Sequence, residues 1–165
     1  MVKRIPRSST LGRREPCAGR KRCQPSDTTP AESAPDLYSV RVVVVEDDDD
    51  CRLLFKTSLE LAGASVATAA GAREALRLVA ETRPHVLVSD LTMPGEDGCW
   101  LLQHVRAAAD RTRRRLAAIV VTAHTSDSIR ARCLAAGFDV FLTKPIDPKE
   151  LCEAVARLAC TSATS

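Results

Sequence analysis

Apolar residues after residue 36 fall into five short runs, and longer stretches with helical spacing separate them. The first run, Arg41–Val45, is continuous and rich in β-branched residues, which predicts a strand that is covered on both faces. The other predicted strands lie at 65–69, 86–89, 116–121 and 140–143. The run at 65–69 is the weakest of them and suits the edge of a sheet.

Between the strands, apolar residues recur one helical turn apart. Ala72, Ala75, Leu76 and Val79 follow the spacing i, i+3, i+4 and i+7, and this stripe ends before Pro84. Similar patterns predict further helices that cover 53–62, begin at 97 or 98, cover 126–136 and follow residue 147. Strands and helices in alternation predict an α/β fold, a doubly wound parallel sheet of five strands with right-handed crossovers and helices on both faces.

Residues that start and stop helices stand at the expected ends of these stretches. Asp49 or Asp50 is available as the N-cap of the first helix, and Asp147 as the N-cap of the last. Gly63 and Gly137 follow the first and fourth helices, where a glycine commonly ends the helix.

The first 36 residues have a different composition from the rest. They contain five of the nine prolines and eight Lys or Arg against four acids, whereas residues 37–165 hold 16 basic and 17 acidic side chains. Their large apolar residues are scattered, so this part cannot bury enough surface to offset the entropy cost of ordering. We therefore predict a basic, disordered N-terminal tail at 1–36, one folded domain at 37–160 and a short C-terminal tail at 161–165.

The composition also indicates the cellular setting. No run approaches the roughly 18 apolar residues of a membrane span, and the Arg-rich start lacks the apolar core of a secretory signal. The seven cysteines form no Cys-x-x-Cys pair, and we interpret most of them as small core or surface residues in a reducing compartment. We expect a cytoplasmic protein without a membrane partner.

Charged residues follow three of the predicted strands. Glu46 and Asp47 come after the first strand, Asp90 after the third and Lys144 after the fifth. In an open parallel sheet these strand ends share one edge, where ligands bind. The convergence of carboxylates and an ammonium group predicts a site for a divalent cation and a phosphoryl group. Taken singly, each residue also fits an ordinary structural role, because acidic runs commonly form solvated loops or helix caps.

Five segments of the chain together form a recognisable pattern. They are Val-Val-Glu-Asp-Asp at 44–48, Ser-Asp-Leu-Thr-Met-Pro-Gly-Glu-Asp-Gly at 89–98, Val-Val-Thr-Ala at 120–123, Ala-Ala-Gly-Phe-Asp at 135–139 and Phe-Leu-Thr-Lys-Pro at 141–145. In this order and spacing they resemble the receiver domain of two-component response regulators, of the single-domain chemotaxis-regulator type or the hybrid-kinase type. The resemblance runs from about residue 40 to residue 159, and it implies the flavodoxin-like strand order 2-1-3-4-5.

The resemblance implies a role for each residue of the site. Asp90 would be the phosphoacceptor, and Thr122 and Lys144 would contact the phosphoryl oxygens. Thr122 and Phe141 would form a switch that carries the change to a surface of the fourth helix, fifth strand and fifth helix. A downstream protein target would recognise that surface.

The resemblance also implies a cofactor, Mg²⁺. Asp47 and Asp90 would bind the ion directly, the backbone carbonyl of Thr92 would be a further ligand, and Glu46 would reach the ion through water. Hard cations such as Mg²⁺ prefer oxygen ligands of this kind.

These implications describe a phosphorylation-controlled switch in a two-component phosphorelay. Its phosphoryl donor would be a histidine kinase or a histidine phosphotransfer protein. Such a protein is not an enzyme in the ordinary sense, although it takes part in its own phosphorylation and dephosphorylation. A pseudo-receiver that acts by binding alone is the alternative within the same fold.

Two other classes of protein fit the sequence less well. An aspartate-nucleophile phosphatase also uses aspartate and magnesium, but it would need Asp-x-Asp at the nucleophile, and residue 92 is threonine. A nucleic-acid binder would use the basic tail, which lacks interleaved aromatic residues and a folded reading element. We therefore do not expect a nucleic-acid partner.

Overall fold

The computed structural model of the protein describes residues 35–109 and 116–162. The elements in chain order are β1 Arg41–Val45, α1 Asp49–Leu61, β2 Ser65–Ala69, α2 Ala72–Thr82, β3 Val86–Asp90, α3 Gly98–Ala109, β4 Ala117–Thr122, α4 Asp127–Ala136, β5 Val140–Thr143 and α5 Pro148–Ser162. The tail predicted at 1–36 lies almost entirely outside the described residues, as do residues 110–115 and 163–165.

The strands form one parallel sheet in the order β2-β1-β3-β4-β5. This arrangement confirms the predicted fold and strand order. The central strands β1, β3 and β4 are buried along nearly their whole length, as expected for continuous apolar runs that are covered on both faces. β2 and β5 lie at the two edges and are more exposed, which confirms the edge position predicted for residues 65–69.

Alternate residues of each strand enter two separate cores. Val43 and Leu87 pack on the side of α2, α3 and α4, whereas Val42 and Val88 pack on the side of α1 and α5. Each fully buried aliphatic side chain of this kind contributes about 2 kcal/mol relative to leaving it exposed. Helices on both faces, as predicted, are therefore what makes uninterrupted valine runs favourable in this sheet.

The first helix begins four residues earlier than the sequence predicted, at Asp49. Its N-cap is Asp48, whose carboxylate accepts the backbone N–H of Cys51 at 2.8 Å, so the prediction of Asp49 or Asp50 as the cap was wrong. That hydrogen bond lowers the pKa of Asp48. Asp49 and Asp50 occupy the first turn instead, where the helix dipole favours negative side chains. The acidic run thus passes from strand to helix with only a short loop.

Other helix ends agree closely with the sequence. Gly137 ends α4 in the left-handed region at φ 99°, and Asp147 accepts a backbone N–H at the start of α5. α5 continues to Ser162, two residues into the stretch predicted as a C-terminal tail. Within the described ranges, each helix is too short or too polar to span a bilayer.

Candidate functional site

The strand order brings the predicted site residues to one edge of the sheet. Glu46 and Asp47 follow β1, Asp90 is the last residue of β3, and Thr122 is the last residue of β4. Lys144 directly follows β5. Because the carboxyl ends of parallel strands lie side by side, five residues from four separate segments of the chain share one location.

Lys144 bridges two of the carboxylates. Its Nζ lies 2.8 Å from both side-chain oxygens of Glu46 and 2.9 Å from Oδ2 of Asp90. Glu46 is only 1% exposed and Asp90 7%, so both carboxylates depend on partners within the protein. Burial alone would lower the pKa of Lys144, but its hydrogen bonds to the two carboxylates outweigh burial and raise that pKa. The ammonium group therefore stays charged.

Glu46 is incompletely satisfied by these contacts. Burial raises the pKa of Glu46, although the hydrogen bond from Lys144 opposes this effect. Its Oε2 lies close to the Lys144 ammonium, yet within the described part of the chain it receives no hydrogen bond of good geometry. A buried carboxylate oxygen without a hydrogen bond is costly. The site therefore favours an additional positive or hydrated group beside Glu46.

Asp47 completes a cluster of three carboxylates. One oxygen atom from each of Glu46, Asp47 and Asp90 lies within 4.8 Å of the others. With all groups ionised, three carboxylates and the Lys144 ammonium sum to −2, which one divalent cation would cancel. Donors that are all oxygen suit a hard cation such as Mg²⁺. The residues present therefore fit the predicted cofactor, and the unbonded oxygen of Glu46 supports the same conclusion.

Thr92 reaches the site through its backbone. Its N–H donates to Oδ1 of Asp90 at 3.1 Å, while its side chain is exposed. Asp90 thus has a donor at each oxygen, Thr92 at Oδ1 and Lys144 at Oδ2. The contact that the structure shows uses the N–H of Thr92, and the role of its carbonyl oxygen as a metal ligand stays a prediction.

Thr122 is fully buried at the end of β4. Its carbonyl oxygen accepts the backbone N–H of Lys144 at 2.9 Å, and its Oγ1 accepts the backbone N–H of His124 at 3.1 Å. Phe141 lies three residues before Lys144 and is half-buried, with the guanidinium of Arg130 5.5 Å from the centre of its ring. The two predicted switch residues therefore stand on neighbouring strands, β4 and β5.

Arg52 is a site residue that the sequence analysis missed. Its Nη1 lies 2.6 Å from the carbonyl oxygen of Glu46 and 3.4 Å from that of Asp47, and its Nη2 pairs with the carboxylate of Asp49. An arginine two residues after five consecutive acids was the available signal. The Lys144–Pro145 peptide bond, which is cis, was not predicted either.

The comparisons with known proteins agree with this geometry. A family model described as the response regulator receiver domain matches residues 42–156. This chain belongs to the response regulator receiver family. Among its relatives, an uncharacterized 14.6 kDa protein from Leptolyngbya boryana is 42% identical over 115 residues, which cover 70% of this chain and 86% of that protein. The response regulator MprA of Mycobacterium tuberculosis is 40% identical over 113 residues.

The match to MprA covers 68% of this receiver but only 47% of MprA, so the chain spans about half the length of that relative. Solved structures share the fold over nearly their entire length. The chemotaxis protein CheY4 of Vibrio cholerae has a TM-score of 0.67 and 29% identity, covering 72% of this chain and 98% of CheY4. The receiver domain of the Francisella response regulator 1452 has a TM-score of 0.66 and 30% identity. The match covers 74% of this chain and 98% of that receiver domain.

Family membership implies phosphorylation-dependent signalling for this receiver. Receiver domains are signalling domains and not classical enzymes, which disfavours the phosphatase alternative. The family binds Mg²⁺ at an acidic pocket, and this receiver holds an acidic cluster of Glu46, Asp47 and Asp90.

Proposed function

We propose that this receiver accepts a phosphoryl group on Asp90 in the presence of Mg²⁺ and thereby switches the surface that it presents to a protein target. The observation that carries the proposal is the contact of Lys144 with Asp90 and Glu46, beside a third carboxylate from Asp47. The same edge of the sheet supplies the acceptor, the counter-charge and the cation ligands.

Mg²⁺, when bound, would supply positive charge that offsets the repulsion between an acidic pocket and an incoming phosphoryl group. Asp47 and Asp90 would hold the ion directly, with the backbone carbonyl of Thr92, and Glu46 would hold it through water. Lys144 alone leaves the cluster at −2 and cannot serve this purpose.

The transfer itself needs one nucleophilic oxygen on Asp90. As this oxygen forms a bond to phosphorus, the N–P bond of a phosphohistidine donor breaks, and the imidazole leaves with the bonding electrons and takes up a proton. The product is an acyl phosphate on the carboxylate. Lys144 and the hydroxyl of Thr122 would then contact the phosphoryl oxygens, so Lys144 would exchange part of its pairing with Glu46 for a new partner.

Phosphorylation adds a charge of about −1.5 to −2 and three hydrogen-bond acceptors. We expect Thr122 to move toward these acceptors, and half-buried Phe141 to change its packing in response. Arg130 of α4 contacts the ring of Phe141, so the change would reach the α4, β5 and α5 surface. The outcome is a shift between two packings, biased by the phosphoryl group.

The proposed phosphoryl donor is a histidine kinase or a histidine phosphotransfer protein, and the proposed target is a protein that docks on the α4, β5 and α5 surface. We assign this activity to the folded part of the chain at 37–160. The tail at 1–36 stays a prediction, because nearly all of it lies outside the described residues.

Intact-mass spectrometry tests the proposal. Incubation of the protein with acetyl phosphate and Mg²⁺ should add one phosphoryl group that is labile to base and hydroxylamine, and the Asp90→Asn variant or a chelator should abolish the addition. Asp139→Asn is the matched control, because the Asp139 carboxylate accepts the N–H of Ala118 near the amino end of β4, away from the end that carries Thr122. It should be labelled like the parent.

Undiminished labelling of Asp90→Asn would move the phosphoacceptor to another residue. If acetyl phosphate and phosphorylated histidine donors all fail to label the parent, the chain is a pseudo-receiver that acts by binding alone. Either result contradicts the proposed function.

A further inference from the structure

We infer that Arg52 is a positioning residue for the cation site, because its guanidinium fixes the backbone that carries Glu46 and Asp47. The inference rests on the proposed function, since it concerns the same Mg²⁺ site. It adds a residue that supports the ligands but does not itself touch the ion or the phosphoryl group.

The contacts of Arg52 all lead back to the acidic segment 46–49. Its Nη1 donates to the carbonyl oxygen of Glu46 at 2.6 Å and lies 3.4 Å from that of Asp47. Its Nη2 pairs with the carboxylate of Asp49, and its own backbone N–H donates to the carbonyl oxygen of Asp48 at 2.9 Å. One side chain in the first turn of α1 therefore holds successive peptides of this segment.

The segment needs such a support. Residues 46–50 are five consecutive acids, whose carboxylates repel one another and favour an extended, opened loop. The side chain of Arg52 is only 19% exposed, so its hydrogen bonds are poorly accessible to water. A guanidinium fork binds several acceptors in a fixed geometry, which a lysine ammonium does not reproduce. Arg52 thus sets the direction in which the Glu46 and Asp47 carboxylates leave the backbone before a cation arrives.

Two possible roles of Arg52, as a nearby positive charge or as a support for the loop, predict opposite changes in Mg²⁺ affinity when Arg52 is removed. If its charge alone mattered, removal of a cation close to a Mg²⁺ site would strengthen Mg²⁺ binding, because like charges repel. If position matters, the loop loosens and Mg²⁺ binding weakens. Residues that orient metal ligands typically change metal affinity by about 10- to 100-fold when they are mutated. The sign of the change therefore distinguishes the two roles.

Mg²⁺ titration of the whole chain, followed by NMR amide shifts, provides the test. We expect Arg52→Met to bind Mg²⁺ about 10-fold more weakly than the parent. Arg52→Lys keeps the charge but loses the fork, and it should also weaken binding. Lys56→Met is the matched control, since Lys56 is on the same helix and pairs at 3.9 Å with Glu60, away from the acidic segment. It should bind Mg²⁺ as well as the parent or slightly better.

A second measurement needs no metal. The backbone amides of Glu46 and Cys51, which donate to the carbonyl oxygen of Ala69 and the carboxylate of Asp48, should exchange hydrogen faster in Arg52→Met than in the parent or in Lys56→Met. Equal or tighter Mg²⁺ binding by a folded Arg52→Met would overturn the inference but leave the proposed function intact. If Arg52→Met does not fold, Arg52→Lys decides by the same criterion. A parent that binds no Mg²⁺ would overturn both proposals together.

Discussion

Gly98, the first residue of α3, packs directly against the backbone carbonyl of Asp90 and leaves no room for a side chain. A Cβ atom on Gly98 would overlap the Asp90 oxygen, and it would also lie 3.0 Å from the hydroxyl of Ser89. The backbone N–H of Gly98 donates to the carbonyl oxygen of Leu91 at 3.0 Å. The start of α3 therefore packs closely against the end of β3, which carries the proposed phosphoacceptor Asp90.

Gly98→Ala should therefore destabilise the protein by about 2 kcal/mol, because the backbone of Asp90 must shift to admit the methyl group. It should also slow labelling by acetyl phosphate. Gly71→Ala is the control, because a Cβ on Gly71 meets no atom of the described residues within 4 Å. Gly71 is the N-cap of α2, where alanine is less favourable than glycine, so its effect should stay within about 1 kcal/mol. Urea unfolding of both variants measures the difference, and equal stability of the two would contradict the steric argument.

Lys144→Ala should destabilise the metal-free protein by about 3 kcal/mol, because it leaves the buried carboxylates of Glu46 and Asp90 without their cation. Added Mg²⁺ should restore part of this stability by binding to the folded state. Glu46→Gln should add more stability to Lys144→Ala than it adds to the parent, because it removes a carboxylate that has lost its cation. Urea unfolding with and without Mg²⁺ gives these values. An additive double variant would show that the two side chains are not coupled.

Glu46 should make the metal-free protein depend on pH. Burial raises the pKa of Glu46 above its ordinary value of 4.5, so the folded state holds a proton that the unfolded state has lost. Stability from this group is therefore greatest below pH 4.5 and falls as pH rises through the raised pKa. The contribution of Lys144 is constant in that range, because its raised pKa lies above 10.5.

Glu46→Gln should remove this decline and stabilise the metal-free protein at neutral pH. The same change should weaken Mg²⁺ binding by about 10-fold or more, because the carboxylate near the ion is lost. Thermal unfolding across pH, without Mg²⁺, tests the first effect, and Mg²⁺ titration tests the second. A parallel pH profile for parent and variant would show that another group causes the decline.

Asp97 joins the start of α3 to α4 through two different interactions. Its Oδ1 accepts the N–H of Trp100 at 2.8 Å, and its Oδ2 pairs with Arg132 of α4. We expect Asp97→Ala to cost about 1.5 kcal/mol, since it removes a helix cap as well as an ion pair. Arg132→Ala should cost less than about 1 kcal/mol, because Arg132 is 56% exposed.

Asp97→Asn keeps a capping oxygen and loses the charge, so its stability should resemble that of Arg132→Ala. Unfolding can be followed by the fluorescence of Trp100, the single tryptophan of the chain. If Asp97→Asn were as unstable as Asp97→Ala, the ion pair would matter more than the cap.

Much of the fold follows from local patterns in the sequence. Continuous apolar runs marked the central strands, and spacing of i, i+3 and i+4 marked the helices, because burial on two faces or one face imposes these periods. Strand ends were predicted to within one residue at Val86–Asp90 and Ala117–Thr122. The start of α1 was not predicted correctly, because any of several consecutive aspartates could be its N-cap. Only the hydrogen bond between Cys51 and Asp48 identifies the cap.

Part of the site also followed from the sequence. Each of Glu46, Asp47, Asp90 and Lys144 stands directly at the end of an apolar run, and a parallel sheet must gather such ends at one edge. The sequence therefore determined which charges would meet and which chemistry they favour. It did not determine their pairing, namely that one ammonium group lies 2.8 Å from Glu46 and 2.9 Å from Asp90.

Only the tertiary structure decided the contacts that link different elements through a single side chain. These contacts depend on distances between elements, which no local period encodes. They are the hydrogen bond of Arg52 to Glu46, the close packing of Gly98 on Asp90 and the contact of Arg130 with the ring of Phe141. Periodicity fixes which face of an element is buried, because burial is a property of that element alone. The direction of a side chain toward a partner depends on how whole elements pack, so it emerges only when the chain is folded.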